Sequence, residues 1–482
     1  MSRLVMGPFN RVEGDLEVSL EVAADRVAAA WVTAPLYRGF ENMVLGKAPL
    51  DALVIVPRIC GICSVAQSAA CAAALADAMG LATPDNGRLA RNLIQAGENV
   101  ADHLTHFYLF FMPDFARAAY ANRPWFDGVA ERFKATRGSA TADMLPARAG
   151  FLRLQGYLAG KWPHTLALQP GGSTRAVLAG EKIRLHAVLR EFRSFLEQTL
   201  FGDRLEAVAA LDSAEALAAW AADRRGDFPR FVALAREEGL DTLGRGPDLF
   251  LSYGAYAGEV GQFFPAGVWD QGRGCRGALE VSRIGEDVSH AWMAGEEPRS
   301  PMEGLTQPLP DKAGAYTWCK APRYGGRSAE VGALARQLVA GHPLARHLVK
   351  QAGAGTVYAR VVARLLEVAQ LVPAMEAWVA QLSPGAPFCA QGQLPDRAQG
   401  VGLVEAARGG LGHWLRIEEG RLAGYQIIAP TTWNFSPRDA QAQPGALEQA
   451  LVNTPVAPGD ATPVAVQHVV RSFDPCMVCT VH

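Results

Sequence analysis

The sequence contains no run of the ~18 uncharged apolar residues that a membrane-spanning helix needs, no block of like charge, no internal repeat and no low-complexity linker. The first absence excludes a helical membrane span. The second, with 46 Lys and Arg against 48 Asp and Glu and a formal net charge of -2, leaves neither the basic footprint of a nucleic-acid binder nor an electrostatic membrane anchor. Met1 to Pro8 offer no apolar stretch of signal-peptide length, so a soluble, cytoplasmic chain is expected. Cysteine is scarce as well. Eight in 482 residues cannot form the dense disulfide framework of a small secreted domain, and a reducing compartment suits them best.

What is present is ordinary for a protein with a large core: 49% hydrophobic and 20% charged residues. From Leu16 to Val32 the alternation Glu17-Val18-Ser19-Leu20-Glu21-Val22, a polar break at Asp25-Arg26 and then Ala30-Trp31-Val32 predict a β-hairpin or meander, with Glu13 on the loop before it. Ser64 to Met79 is alanine-rich and stops at Gly80, which predicts a helix carrying Gln67 on the same face as Cys63. Helical periodicity recurs at 89–110, 177–200, 214–222 and 356–382. Gly244 to Asp248 and Ala294 to Ala315 read as loops, and Trp414 to Leu422 as a hairpin about Glu419-Gly420. The expected class is α+β, predominantly helical, with small β elements near each end.

Four of the cysteines stand in two Cys-x-x-Cys pairs at opposite ends, Cys60-Gly61-Ile62-Cys63 and Cys476-Met477-Val478-Cys479. If the pairs meet, residues 1–482 share one core and form a single interwoven domain. Four converging thiolates carry four negative charges, and burying them requires cations. Thiolate suits zinc, iron–sulfur clusters, copper(I) and nickel. From spacing alone, structural zinc is the usual occupant; in a disulfide-exchange motif each pair would act alone. Cys71, Cys275, Cys319 and Cys389 lack paired spacing and read as small buried residues.

Arg58-Ile59-Cys60-Gly61-Ile62-Cys63 and Asp474-Pro475-Cys476-Met477-Val478-Cys479-Thr480-Val481-His482 resemble the two signature motifs of nickel–iron hydrogenase large subunits. Arg11-Val12-Glu13-Gly14, Arg38-Gly39-Phe40-Glu41, Asp102-His103 with His106-Phe107-Tyr108, Glu405 to Gly409 and Tyr425 to Asn434 resemble further family segments in family order. The resemblance spans essentially the whole chain. It implies that Cys60, Cys63, Cys476 and Cys479 bind nickel, with Cys63 and Cys479 bridging to an iron that carries carbon monoxide and cyanide. It implies Cys476 as first proton acceptor after heterolysis of H2, and Glu13 as the relay carboxylate after it. Arg408 and the Thr431 hydroxyl are expected to donate to the cyanides, with Asp102 and Asp474 holding Arg408 in place. Glu41, the backbone oxygen of Ile427 and His482 match the family's magnesium site. With no cysteines left in cluster spacing, electrons are expected to leave through an iron–sulfur small subunit, in a heterodimer or a dimer of heterodimers.

Three positions depart from the family pattern. Most members have histidine where Gln67 stands and proline where Ala407 stands, and many have histidine in place of Asp15. Glutamine cannot titrate near neutral pH, so the surroundings of Cys63 change. Gln67 and Ala407 resemble the H2-sensing regulatory subgroup and related cytoplasmic uptake enzymes. Family precursors usually carry a C-terminal extension removed after metal insertion, which sensors lack; this sequence ends at His482, which fits a sensor or a processed chain. The resemblance thus implies a regulatory H2 sensor signalling to a histidine kinase, with an uptake hydrogenase as the alternative. A metal-free structural subunit of the complex I type is a remote one, opposed by the four intact cysteines.

Overall fold

The computed structural model describes residues 2–482. Its first three strands, β1 Ser2–Met6, β2 Glu17–Ala23 and β3 Arg26–Thr33, form an antiparallel sheet in sequential order. Val18, Leu20, Ala30 and Val32 turn inward and are fully buried, as the alternation predicts. β1 has no counterpart in the sequence expectation; it pairs with β2 from Ser2 opposite Val22 to Met6 opposite Val18. The outer edge of β3 is capped by the far end of the chain, through Val27 N–H to Thr454 O at 3.0 Å, Asn453 N–H to Val27 O at 2.8 Å and Val32 N–H to Glu448 Oε1 at 3.1 Å.

Helix α1, Ser64–Met79, starts at Cys63 and ends on Gly80 at φ 62°, a left-handed position that glycine takes at little cost. Helix α2, Asp85–Thr105, begins four residues before the predicted start and widens into a π-helical turn at His106–Phe111. The helix predicted over 177–200 spans Ala179–Phe195 and likewise ends in a π-helical turn, Leu196–Phe201, while that at Ala214–Ala222 matches residue for residue. Helix α3, Val357–Gln381, is capped by the Thr356 hydroxyl, which accepts the Ala359 N–H.

Strands β4 Ala398–Ala406, β5 Gly409–Glu418 and β6 Arg421–Ile428 form a second antiparallel meander. Ala406 pairs with Gly409, so Ala407 and Arg408 are the two residues of a tight turn. The β5–β6 turn is Glu419-Gly420, as the sequence predicts. Helix α4, Val464–Ser472, then delivers the second cysteine pair. Sequence patterning misses the short strands Leu249–Ser252, Gly267–Asp270, Ile284–Asp287 and Ala321–Tyr324, and helices such as Ala333–Ala340. Most of these are four residues long, too short for a two-residue period to register.

The meander rests on α1 with almost no space between. A Cβ at Gly400 would lie 2.0 Å from Ala74 O, and one at Gly402 2.0 Å from Ala70 O. Glycines two apart on one strand face therefore meet alanines four apart on one helix face. Gly402→Val should cost about 3 kcal/mol or more in unfolding free energy, since a helix backbone must move to admit it. Gly156→Ala, a helical position with open space around it, should be neutral or stabilise by roughly 0.5–1 kcal/mol. Denaturant unfolding of the two variants checks the contrast.

Candidate metal centre

Three local devices bring the ends of the chain together. Glu13 and Cys476 form a parallel bridge, with Met477 N–H to Glu13 O at 2.6 Å and Glu13 N–H to Pro475 O at 3.3 Å. Asp474, at φ 57°, turns the chain sharply out of α4 just before Pro475. Arg38 clamps both motifs at once, its Nη2 donating to Ile59 O at 2.7 Å and to Val478 O at 2.5 Å.

The four sulfurs of Cys60, Cys63, Cys476 and Cys479 then lie within 4.8 Å of one another, all buried. Cys60 and Cys476 Sγ are 3.5 Å apart, Cys63 and Cys479 3.0 Å, and Cys476 and Cys479 3.1 Å. Hydrogen bonding to Cys476, with burial, pushes the Cys63 thiol up, and burial pushes up Cys476 and Cys479, while hydrogen bonds from Cys476 and the others hold Cys60 low. Four buried thiolates this close together need metal cations.

Arg408 faces this cluster from the β4–β5 turn. Its Nη1 donates to Asp102 Oδ2 at 2.7 Å, its Nη2 to Asp102 Oδ1 and Asp474 Oδ1 at 3.2 Å each, and its Nε to Asp474 O at 2.9 Å. Of the five N–H groups of a guanidinium, one on Nη1 remains for a further acceptor. Burial pushes Asp102 up to about 7 against the pull of Arg408. Thr431 Oγ1 accepts the Cys476 N–H at 3.4 Å, which leaves its hydroxyl proton to donate. Glu13 is half-buried, and burial, then the Cys60 charge, raise its carboxyl above the ordinary value. Soft sulfurs with two directed donors beside them fit a nickel–iron centre carrying anionic diatomic ligands.

The predicted magnesium residues also converge. His482 Nε2 lies 2.9 Å from Ile427 O and 3.4 Å from Glu41 Oε1, and Glu41 Oε1 accepts the Ile427 N–H at 2.8 Å. They line a cavity of about 20 Å³ with Glu286, Thr306 and Lys320. Lys320, which the sequence did not single out, places its ammonium 3.3 Å from Glu41 Oε2 and 3.7 Å from Glu286 Oε2. Although burial opposes it, Lys320 and His482 hold Glu41 down at about 2; burial pushes Glu286 up to about 6. Two carboxylates against one ammonium leave room, in charge and in space, for a hard cation.

Sequence reasoning missed the buried polar groups that hold these elements. Glu98 on α2 accepts Val65 N–H at 2.9 Å, Ala66 N–H at 3.0 Å and Trp162 Nε1–H at 2.9 Å, fixing the first turn of α1 beside Cys63. Arg336 spends all five N–H groups at once: on Glu367 (2.8 and 2.9 Å), on Glu405 (2.6 Å) and on the carbonyls of Ala406 (2.9 Å) and Ala407 (3.0 Å). It thereby holds the turn that carries Arg408. His103 joins at 3.2 Å from Glu367. No local pattern marks such residues, because their partners lie far off in sequence, 31 to 71 positions from Arg336 and 264 from His103 to Glu367. Arg336→Met should lower unfolding stability by about 3–5 kcal/mol, the usual cost of leaving buried charges unpaired, as read by chemical denaturation.

The family model described as nickel-dependent hydrogenase matches residues 38–123 and 142–482. The chain is 29% identical over 520 residues to the periplasmic [NiFeSe] hydrogenase large subunit of Desulfomicrobium baculatum, covering 100% of this chain and 95% of that one. It is 28% identical to the hydrogenase-2 large chain of Escherichia coli K12, covering 100% and 97%. It superposes on the Ni-Fe-Se hydrogenase of D. vulgaris Hildenborough in the reduced state with a TM-score of 0.83 at 30% identity, over the full length of both chains.

Proposed function

Since the chain belongs to the nickel-dependent hydrogenase family and is the large, catalytic subunit of a nickel–iron hydrogenase, we propose that it cleaves H2 heterolytically at the four-cysteine site and serves as a regulatory H2 sensor. The observation that carries the catalytic reading is the convergence of four buried sulfurs within 4.8 Å of one another, with the buried Arg408–Asp102–Asp474 group nearby. Bound there, a nickel–iron centre with carbon monoxide and cyanide ligands would supply the electrophile and redox couple that the reaction needs. Arg408 and Thr431 would hold its diatomic ligands, and Asp102 and Asp474 hold Arg408 in place. Cys476 Sγ receives the proton and Glu13 carries it on. The raised carboxyl of Glu13 brings its proton affinity nearer the working pH, where relay is most efficient.

Glu41, Ile427 and His482, which converge at the C-terminal motif, would hold Mg2+, and residues 1–482 form one interwoven domain, a reading supported by the bridges between Glu13 and Cys476 and between β3 and Thr454. Electrons pass to an iron–sulfur small subunit, in a heterodimer or a dimer of heterodimers. Among the described residues the four-cysteine set is the one cysteine cluster placed to hold a metal, and the relatives are named as a large subunit and a large chain. Leu36, Met43, Leu45, Leu50 and Val54, in the segment that precedes the first cysteine pair, are exposed and offer apolar side chains to such a partner.

The sensor role, with a histidine kinase as partner and a cytoplasmic location, rests on Gln67 and Ala407. A second reading, an uptake hydrogenase passing electrons to a carrier, draws on the full-length likeness to the periplasmic and hydrogenase-2 large subunits. Rapid turnover with an artificial acceptor, together with no kinase in the purified complex, favours uptake; slow turnover with a bound kinase favours sensing.

Glu13→Gln should keep nickel, iron and the infrared bands of carbon monoxide and cyanide while losing H2/D+ exchange by about 100- to 10,000-fold. Unchanged exchange removes Glu13 from the relay. Stoichiometric zinc without those infrared bands in the unmutated protein sinks the nickel–iron reading.

A further inference from the structure

Where the loop after β1 meets α4, a cavity of about 510 Å³ is lined by residues 5–11, by Pro113, Ala116, Arg117 and Lys134, and by the α4 side chains Gln467 and Arg471. That is the size of a small-molecule site, ~300–1,000 Å³. Four of its lining residues are cationic, Arg11, Arg117, Lys134 and Arg471, and among the described residues no carboxylate lines it. Exposed cations alone would mean little, since water satisfies them. Here Arg471 is only 1% exposed, and three guanidiniums share one buried carboxylate. Asp114 accepts from Arg471 Nη1 at 2.6 Å and from Arg11 Nη2, and it lies 3.9 Å from Arg117 Nη1, beyond hydrogen-bond reach.

The other partners of Arg11 and Arg471 are neutral. Arg11 Nη1 donates to Phe110 O at 2.8 Å, and Arg471 donates to Gln467 Oε1 at 3.0 Å and to Asn10 O and Oδ1 at 2.9 and 2.8 Å. Arg471 Nε and Arg117 Nη1 are buried with no hydrogen-bond partner, and Lys134 is exposed. Asp460, the acid beside the lining residue Ala461, accepts the Thr462 N–H at 2.9 Å. The four lining cations against Asp114 thus leave an excess of positive charge. Burial, and then the charges of Arg11 and Arg117, push the Arg471 guanidinium down although Asp114 pulls it up. An anion would relieve that crowding, and a tetrahedral oxyanion suits the forked donors of arginine. Met6, Pro8, Phe9 and Pro113 line the same cavity, which gives an organic body attached to the anion an apolar wall.

We propose that this cavity binds a phosphate-class dianion, free or as a phosphate monoester, on Arg117 and Lys134 beside the Arg11–Asp114–Arg471 group. Asn10 stands three residues before Glu13 and Arg471 three before Asp474, so a bound dianion braces the two segments that lead into the sulfur cluster. Calorimetric titration of the complex as isolated, in buffer free of phosphate and sulfate, with inorganic phosphate, AMP and adenosine tests it. One saturable site is expected for inorganic phosphate or AMP and none for adenosine. Affinity should fall at least about tenfold in the double variant Arg117→Gln, Lys134→Gln. It should hold in Arg184→Gln, Arg190→Gln, which removes two exposed cations from the helix Ala179–Phe195. AMP binding tighter than phosphate identifies a monoester as the ligand; phosphate binding as tight or tighter identifies the free ion. Failure of both anions to bind overturns the proposal, as does equal weakening in the two double variants or no weakening in the first. A partner-subunit carboxylate paired with Arg117 in a structure of the complex overturns it too. Independently of any variant, phosphate should raise the Tm of the unmutated complex above its value in chloride at equal ionic strength; equal melting temperatures overturn the proposal.

Discussion

Four sulfur atoms within 4.8 Å of one another in a dry interior cannot all be anionic unless cations sit among or beside them. That charge constraint organises the polar interior. Arg408 is brought to the cluster at the cost of its own burial, and two carboxylates, Asp102 and Asp474, are buried to keep it there. Arg336 is buried in turn, with Glu367 and Glu405, to hold the turn that presents Arg408. Each shell of charge is balanced by the next. The outermost partners are backbone groups such as Tyr253 N–H on Glu405 at 2.6 Å, which need no further counter-ion.

Much of this was legible in the chain, and the parts that were share one property: their signal is local. The α1 helix reads from its alanines and its Gly80 stop, the first hairpin from its alternation, and the β5–β6 turn from Glu419-Gly420. The cysteine pairs and the Arg408, Asp102 and Asp474 set were legible through the family resemblance, and the structure brings them together. Glu98, Lys320 and Arg336 were not, since a buried charge is defined by partners far off in sequence and by desolvation that no composition displays. Gly400 and Gly402 are a middle case. A glycine inside a strand pattern marks close approach in general, but that it is Ala70 and Ala74 of α1 that approach appears only in three dimensions.

The two ends of the chain meet by backbone as well as by side chain. The Glu13–Cys476 bridge, the Arg38 clamp and the β3 edge contacts to 453–456 all join positions more than 400 residues apart. Contacts of that span carry the largest loop-closure cost and form late in folding. The Lys320, Glu41 and His482 group closes the same seam from the other face, so the seam is held by charge on one side and by thiolate on the other.

Arg408 sits in a two-residue turn between paired strands, with its guanidinium held at four of five donor positions. A side chain so held has lost its rotamer freedom during folding and has none left to lose at the reacting centre. When charge shifts at the cluster, its dipoles already point the right way and little reorganisation accompanies the change. The stiffness of a hairpin thus becomes a small reorganisation energy at the metals, and the activation enthalpy of the chemical step is relieved of the part that a mobile solvent would have contributed.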